Sequence, residues 1–140
     1  MYCILVAKTQ EEIERCFPVM SQLRPHIQFS EFFHLVQGQM ENGYNLVYLK
    51  DDQNVLAVTG FRISTNLAWG KFLYVDDLVT DEKNRSKGVG KCLFQWLIKE
   101  AKKQGCLELH LDSGIQRKDA HRFYENLGFK QHGYSYYLTF

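Results

Sequence analysis

The sequence predicts an α/β protein, a single domain in which helices pack on a mixed β-sheet. Its 140 residues are 45% hydrophobic and 24% charged, which is the composition of an ordinary globular domain. Short apolar runs typical of strands alternate with segments of helical periodicity, and this alternation indicates helices packed on a sheet. The chain has only two prolines, and no Gly/Ser-rich stretch, repeat or low-complexity tract interrupts it. We therefore expect one domain over residues 1–140.

The first third of the chain has the pattern β-α-α. Residues 2–7 form an apolar run suited to a strand, and residues 9–12 have the spacing of a capping box before apolar residues at helical intervals. Ser30 is placed to cap a second helix that ends at residues 42–43. The proline-containing segment 24–26 separates the two helices.

Strands dominate the middle of the chain. Residues 44–50 and 55–65 are predicted strands joined by a polar turn. A further turn at residues 66–70 leads to a strand over residues 71–80. These three strands fit a β-meander.

The last third alternates between helix and strand. After a glycine-containing loop, apolar residues mark one face of a helix that ends near residues 104–105. Residues 106–111 are a predicted strand, residues 118–127 a helix closed by the next glycine, and residues 129–140 one or two final strands. The predicted order of elements is β-α-α-β-β-β-α-β-α-β(β).

Composition excludes several classes of protein. A net charge of +1 is too small for a broad nucleic-acid-binding surface. No apolar run reaches the roughly 18 residues that a membrane helix needs, and the apolar start is too short for a secretory signal. The four cysteines are scattered without a C-x-x-C pair, which indicates buried free thiols rather than a zinc site. We expect a cytoplasmic protein with no metal, membrane or nucleic-acid partner.

The loop at residues 85–90 lies where a predicted strand passes into a helix. Gly88 and Gly90 let the backbone approach an anion closely, and the first N–H groups of the helix point toward it. Arg85 and Lys87 bring side-chain cations to the same place, which suits a diphosphate. The loop therefore predicts a phosphate site, with a solvated glycine turn as the alternative.

Two other phosphate-binding motifs fail on spacing. A P-loop ending at residues 90–92 lacks its first glycine, because Arg85 stands there, and its hydroxyl residue, because Cys92 stands there. A dinucleotide-binding fingerprint that begins at Gly88 meets Leu93 where its third glycine belongs.

Three segments together resemble the GCN5-related N-acetyltransferase (GNAT) superfamily. They are the strand at residues 73–80, the pattern R-x-x-G-x-G at residues 85–90, and the segment A-H-R-F-Y-E-N-L-G-F at residues 120–129. The order of elements matches that fold too, so the resemblance covers the whole chain. It implies an N-acetyltransferase that uses acetyl-coenzyme A. Residues 117–124 are most similar to the branch that acetylates small primary amines, including aminoalkylphosphonates.

The resemblance also implies where acetyl-coenzyme A binds, namely where the strands ending near residues 80 and 112 splay apart. Pantetheine would pair with the backbone of Leu78 and Val79, and one of their N–H groups could polarise the thioester carbonyl. Many members carry asparagine where Arg117 stands, so Arg117 could contact a cofactor phosphate, an anionic substrate group or a nearby carboxylate. The implied cofactor-binding residues are Leu78, Val79, Arg85, Ser86, Lys87, Gly88, Val89, Gly90, Lys91 and Arg117.

Direct attack on the thioester needs a neutral amine, so the resemblance also implies a general base or a water chain. Asp76 and Asp77 precede the pantetheine-binding residues, and strand alternation predicts that they point to opposite faces. Asp77 is one residue nearer the predicted reaction centre. His110 is a further candidate base, on a polar strand face with Glu108 and Asp112; a structural histidine is the alternative, and a metal site at these three residues is only weakly indicated.

Tyr124 matches the tyrosine that protonates the departing thiolate in many members of the family. A phenol is protonated at neutral pH and can donate to a thiolate. Packing between aromatic neighbours is the alternative role.

The acceptor is predicted less sharply than the donor. The resemblance implies a primary amine, and near-neutral charge with enclosing helices favours a small molecule. The alternatives are a protein lysine or N-terminus as acceptor, and a non-catalytic sensor of acyl-coenzyme A. The aromatic C-terminal segment is also a candidate homodimer contact. Candidate acceptor-site residues are Arg24, His26, Phe29, Phe32, Tyr134 and Tyr136.

Overall fold

The structure, a computed structural model, describes residues 1–85, 87–113 and 116–140, which divide into two compact units, residues 1–110 and 111–140. In chain order the elements are β1 (Cys3–Val6), α1 (Gln10–Arg15), α2 (Phe17–Leu23), α3 (Phe29–Met40), β2 (Tyr44–Lys50), β3 (Val55–Asn66), β4 (Gly70–Thr80), a 3-10 turn (Glu82–Asn84), α4 (Val89–Lys103), β5 (Glu108–Leu111) and α5 (Lys118–Asn126). The predicted α/β class is confirmed, and the predicted order holds as far as α5 except that the first predicted helix is divided into α1 and α2.

The five strands form one sheet in the order β1-β2-β3-β4-β5. Neighbours from β1 to β4 are antiparallel, so the predicted β-meander is confirmed. β5 begins beside the start of β4, where the Leu107 N–H donates to the Lys71 carbonyl at 2.7 Å. Chain order and spatial order therefore coincide across the sheet.

Helices cover both faces of the sheet in the first unit. Tyr44, Leu46 and Tyr48 of β2 belong to a buried cluster that they share with residues of α1, α2 and α3. The alternate β2 residues are buried as well, and α4 packs against β2, β3 and β4, with Trp96 meeting Phe61 edge to face at 6.1 Å. Since successive strand residues point to opposite faces, α4 covers the face opposite α1–α3. No helix in the described ranges is long and apolar enough to cross a membrane.

The first predicted helix is in fact two short ones. α1 begins at the predicted capping box, where the Glu12 N–H donates to Thr9 Oγ1 at 3.2 Å. It ends at Cys16 because Pro18 lies in the first turn of α2, and proline has no N–H to continue the helix.

The predicted cap of α3 at Ser30 is wrong. α3 begins at Phe29, and the Gln28 N–H donates to Glu31 Oε1 at 3.0 Å. A glutamate three residues after the helix boundary thus fixes the start two residues earlier than the serine indicated.

The second unit, residues 111–140, contains α5 followed by an irregular segment. Gly128 has φ = 94°, a left-handed conformation that ends the helix, and the Phe129 N–H donates back to the Tyr124 carbonyl at 3.1 Å. The prediction of one or two final strands at residues 129–140 is wrong, because this segment has neither helix nor strand. Its large side chains are mostly exposed, so their aromatic character does not reflect a buried strand face.

Candidate active site

A β-bulge in β4 determines the geometry of the candidate site. Gly60 of β3 pairs with Asp77, whereas the next residue, Phe61, pairs with Val75. Asp76 is therefore an extra residue on β4, and the Thr59 hydroxyl donates to the Asp77 carbonyl at 2.8 Å beside it. An extra residue reverses the alternation of side chains beyond it.

Both acidic side chains consequently face the same side of the sheet. Asp76 and Asp77 line one cavity together with Tyr74. The prediction that the two carboxylates point to opposite faces is wrong, because regular alternation does not continue through a bulge. The bulge concentrates two negative charges at one place, next to Leu78 and Val79.

Asp77 is held by two donors from different parts of the fold. Arg24, at the end of α2, donates through Nε to Asp77 Oδ1 at 2.9 Å. Tyr44, at the start of β2, donates through its hydroxyl to Asp77 Oδ2 at 2.7 Å. The Asp77 side chain is 14% exposed. Its carboxylate is therefore fixed in orientation, with one edge still open to the cavity.

Tyr44 reaches Asp77 by crossing a glycine of the neighbouring strand. A Cβ atom on Gly60 would lie 1.8 Å from Tyr44 Oη, so no larger residue fits there while Tyr44 keeps this position. Burial, and then the negative charge of Asp77, raise the pKa of Tyr44 well above its ordinary value. The hydroxyl therefore remains protonated and acts as a donor.

Asp76 is held in turn by Arg62. Arg62 Nε donates to Asp76 Oδ2 at 2.9 Å, and the same guanidinium donates to the Asn42 carbonyl at 3.1 Å and to Gln39 Oε1 at the end of α3. Arg24 Nη2 donates to the Asp76 carbonyl at 2.9 Å. Two arginines thus pair with the two aspartates, and all four charged groups are connected.

A cavity of about 540 Å³ opens onto this network. Three kinds of element surround it: the end of α2 with the segment after it, one face of α3, and the strands β2 and β4. Its apolar lining is Met20, Ile27, Phe32, Leu35 and Val36, and its polar or aromatic lining is Arg24, His26, Gln39, Tyr44, Tyr74, Asp76 and Asp77. The volume is in the range of small-molecule sites, roughly 300–1,000 Å³.

The residues predicted for the acceptor site lie in three different environments. Arg24, His26 and Phe32 line the cavity. Phe29 does not; its ring packs edge to face against Phe17 at 5.3 Å. The two remaining candidates, Tyr134 and Tyr136, lie exposed in the irregular segment of the second unit.

Several residues of the site were missed in the sequence. Tyr44, Gly60 and Arg62 each carry part of the network, but their sequence context is that of ordinary strands. Arg62 had one available signal, because a charged residue in a predicted covered strand needs a partner. Gly60 had a signal too, because glycine weakens a strand and often marks a bulge or a close approach by another group.

The loop before α4 has features that fit a bound diphosphate. Gly88 stands at the helix N-cap with φ = 75°, and a Cβ atom there would meet nothing within 4 Å. The first turn contains no acidic residue, and within residues 1–85, 87–113 and 116–140 no side chain caps the N–H groups of Val89, Gly90 and Lys91. Lys87 Nζ donates to Asn84 Oδ1 at 3.3 Å. Ser86, also predicted to contribute, lies outside the described residues.

His110 belongs to an aromatic cluster rather than to the cavity lining. Its ring stacks on Trp69 with centroids 3.5 Å apart, and Phe72 meets it edge-on at 6.1 Å. His110 Nε2 lies 2.6 Å from Glu108 Oε1, so the predicted shared face of these two residues is present. These contacts favour the structural alternative for His110.

Tyr124 and Arg117 lie in the second unit. The Tyr124 ring packs edge to face with Phe123 at 5.5 Å and with Phe129 at 6.1 Å. Burial raises the pKa of Tyr124 above its ordinary value, and the charge of Arg117 partly opposes that shift. The phenol is therefore protonated at neutral pH.

Free thiols account for all four cysteines. Cys16 is fully buried, and burial raises the pKa of its thiol to about 12. Cys3 is exposed and Cys92 and Cys106 are partly buried, so the prediction of buried cysteines is confirmed in full only for Cys16. Within the described ranges no three His, Cys, Asp or Glu side chains are grouped so that they could hold a metal ion.

Comparisons with known proteins agree on one family. The family model "Acetyltransferase (GNAT) family" matches residues 6–129. The chain is 34% identical over 128 residues to the uncharacterized N-acetyltransferase YhdJ of Bacillus subtilis (strain 168), covering 90% of each chain. It is 37% identical over 57 residues to the aminoalkylphosphonate N-acetyltransferase of Salmonella typhimurium, covering 41% of this chain and 37% of that protein. The structure of glucosamine-6-phosphate N-acetyltransferase from Arabidopsis thaliana has the same fold, with a TM-score of 0.80 at 20% identity over 100% and 99% of the two chains.

Proposed function

Because the chain belongs to the acetyltransferase (GNAT) family, it is an acetyl-coenzyme A-dependent N-acetyltransferase, and we propose that its acceptor is the primary amine of a small molecule, attacked directly in a ternary complex. The observation that carries the proposal is the pair of carboxylates, Asp76 and Asp77, at the base of a cavity of about 540 Å³. This pair stands directly before Leu78 and Val79, the residues expected to bind the donor. Acceptor and donor would then meet at one point of β4.

The donor would be held by backbone groups and by the cations of the loop. Bound acetyl-coenzyme A supplies an activated acetyl thioester. The N–H groups of Val89, Gly90 and Lys91, in the first turn of α4, would bind its pyrophosphate, and the positive end of α4 favours an anion there. Arg85 and Lys87 add positive charge to the same loop. Leu78 and Val79 would orient the rest of the donor along β4.

Asp76 and Asp77 would attract the amine and help to remove its proton. For an amine with a pKa of about 10.4, forming the neutral species at pH 7 costs roughly 4.6 kcal/mol. Asp77 already accepts one hydrogen bond on each oxygen, and an ionised carboxylate has about four lone-pair sites in all. It can therefore still accept a hydrogen bond from the ammonium group. The proton would then pass to Asp76, Asp77 or water.

Tyr124 is the proposed proton donor for the departing thiolate. Its raised pKa means that the phenol carries its proton over the whole neutral range. A protonated phenol can donate to a thiolate, for which the ordinary pKa is about 8.5. The proposed contribution is general-acid catalysis, typically worth about 10²- to 10⁴-fold in rate.

The size of the cavity supports a small-molecule acceptor. The cavity is bounded by α2 and α3 and reaches the two carboxylates within the first unit. A protein acceptor and a non-catalytic acyl-coenzyme A sensor are the outcomes that the experiment must separate from this proposal.

The test measures thiol release from acetyl-coenzyme A with a panel of small primary amines, a lysine-containing peptide and no acceptor. Release that depends on a small amine, with the acetylated amine identified by mass, supports the proposal. Release only with the peptide would indicate a protein acceptor. Tight binding of acetyl-coenzyme A without release on any acceptor would indicate a sensor.

A pair of glycine substitutions tests the donor loop in the same assay. Gly88→Asp places a carboxylate at the N-terminus of α4, whereas Gly105→Asp places one just after its C-terminus; both glycines have positive φ and open space around an added Cβ. We expect Gly88→Asp to raise the KM for acetyl-coenzyme A by about tenfold or more, since 1.4 kcal/mol of binding energy is a factor of ten. An equal change in both variants would count against the loop as the donor site.

A further inference from the structure

We infer that the acceptor is an amine on an apolar body that carries no phosphate, phosphonate or other strongly anionic group. This inference rests on the proposed acetyl transfer and specifies its substrate. It concerns the cavity that opens onto Asp76 and Asp77.

The cavity has two chemically different sides. Met20, Phe32 and Val36 are buried apolar side chains along one side, and Leu35 extends that side to the surface. The other side presents the carboxylates. Such a site binds a molecule with a cationic end and an apolar remainder, because each end then meets a matching surface.

Both arginines of the site already donate hydrogen bonds to its two aspartates. Arg24 uses Nε for Asp77 Oδ1 and Nη2 for the Asp76 carbonyl. Arg62 uses Nε for Asp76 and its other nitrogens for α3 and the residue Asn42. Arginine recognises phosphate through two parallel N–H groups of its fork. Binding a phosphate through Nε and Nη2 of Arg24 would therefore break its ion pair with Asp77 and leave that partly buried carboxylate with fewer donors.

The Asp and Arg side chains that line the cavity carry one net negative charge. Asp76, Asp77 and Arg24 line it, whereas Arg62, which pairs with Asp76, is not part of the lining. His26 is an exposed residue at the rim. Arg24 is the one arginine or lysine among the described lining residues, and its Nε and Nη2 already donate to Asp77 and to the Asp76 carbonyl. An ammonium group gains from this charge, and a phosphate is repelled by it.

Proteins of the same family are named for anionic acceptors, so the expected specificity differs from theirs. The Salmonella typhimurium relative is named for aminoalkylphosphonates and the Arabidopsis thaliana structure for glucosamine 6-phosphate. Pentylamine and 3-aminopropylphosphonate form a pair of similar length that differs in the terminal group. The structure predicts that the apolar member is the better substrate.

The experiment compares kcat/KM for pentylamine, 3-aminopropylphosphonate, glucosamine 6-phosphate and the series from propylamine to hexylamine. We expect pentylamine to exceed both anionic amines by about tenfold or more, within the range that one site discriminates. Each added methylene should raise kcat/KM by about fourfold until the apolar side is filled, which corresponds to about 0.8 kcal/mol per buried CH₂.

Two variants of Leu35 test the inference without disturbing the folded core. Leu35 lines the cavity but is 46% exposed, so its replacement leaves the buried core intact. Leu35→Ala should reduce the rise in kcat/KM from propylamine to hexylamine. Leu35→Arg should raise kcat/KM for 3-aminopropylphosphonate relative to pentylamine, because it supplies an arginine that is not paired with a carboxylate. Leu67→Ala, at a fully exposed leucine outside the lining, is the matched control and should change neither.

A preference for 3-aminopropylphosphonate or glucosamine 6-phosphate in the unsubstituted protein would overturn the inference and leave the proposed acetyl transfer intact. Equal rates along the alkyl series, unchanged by Leu35→Ala, would overturn it as well. Acetylation of none of these amines, despite stabilisation of the protein by acetyl-coenzyme A, would overturn the proposed function and this inference with it.

Discussion

Replacing Tyr44 by phenylalanine removes a single hydroxyl and with it the 2.7 Å hydrogen bond to Asp77 Oδ2. Hydrogen bonds to charged groups contribute about 1.5–3 kcal/mol to stability. Asp77 keeps its ion pair with Arg24 in the variant, so the carboxylate does not lose all its donors. We therefore expect the free energy of unfolding to fall by about 2 kcal/mol at pH 7, near the middle of that range.

The pH dependence of this difference gives a second, more specific signature. The folded-state pKa of Tyr44 is raised, so above about pH 10, where an ordinary phenol ionises, the unfolded tyrosine loses its proton before the folded one. The unfolded state then binds fewer protons, and stability falls as pH rises. Tyr44 accounts for up to about 1.4 kcal/mol of this loss per pH unit. The Tyr44→Phe variant lacks that contribution, so the difference between the two proteins should shrink above pH 10.

Urea denaturation followed by tryptophan fluorescence between pH 7 and pH 10.5 measures both effects. Tyr137→Phe, at an exposed tyrosine, is the control and should match the unsubstituted protein throughout. Equal stability of Tyr44→Phe and the unsubstituted protein at pH 7, or a difference that grows above pH 10, would refute the assigned contact and its protonation state.

Three further predictions concern other parts of the chain. Gly60→Ala places a Cβ 1.8 Å from Tyr44 Oη, so it should lower the free energy of unfolding by about 3 kcal/mol in urea denaturation, through overpacking and loss of the Asp77 contact. Cys16, with a thiol pKa of about 12, should not react with a thiol reagent at pH 8 in the native protein, whereas exposed Cys3 should be modified readily; mass mapping of labelled peptides distinguishes them. Tyr124→Phe should lower kcat by about 10²-fold without a matching change in KM, as measured by thiol release, because it removes only the proposed proton donor.

Each of these predictions has a control or an opposing result. Gly38→Ala in α3 meets nothing within 4 Å and should stabilise the protein by up to about 1 kcal/mol, in contrast to Gly60→Ala. A Gly60→Ala protein of unchanged stability would mean that Tyr44 does not cross that glycine. Labelling of Cys16 as fast as Cys3 would contradict its burial. Full kcat in Tyr124→Phe across the pH range would exclude the phenol as proton donor.

The order of the elements was predictable from the sequence because it depends on local signals. Apolar periodicity, the capping box at Thr9 and the glycines beside the helices act within a few residues, and these indicated the elements up to α5. The prediction of final strands at residues 129–140 was wrong. Aromatic residues are typical of strands, but most of the large side chains in this segment are exposed. Strand formation depends on a partner strand and a packing face, which composition does not specify.

For the candidate site, the sequence indicated the two aspartates but not the direction in which their side chains point. The sequence indicated Asp76 and Asp77, but the bulge that turns both toward one cavity follows from the pairing of β3 with β4. Tyr44 of β2 lies 33 residues from Asp77 of β4 in the chain, and its contact depends on the registers of β2, β3 and β4, which place Gly60 of β3 between the two residues. Long-range pairing of this kind leaves no local pattern in the sequence.

The most direct test of the central claim uses acetyl-coenzyme A with a trideuterated acetyl group and pentylamine as acceptor, with the product analysed by mass spectrometry. The account predicts that pentylamine gains one trideuteroacetyl group, at a rate that falls by about tenfold or more when Asp76 and Asp77 are both replaced by asparagine while acetyl-coenzyme A still binds. Unlabelled or unmodified pentylamine after full incubation, or an undiminished rate in the doubly substituted protein, would contradict it.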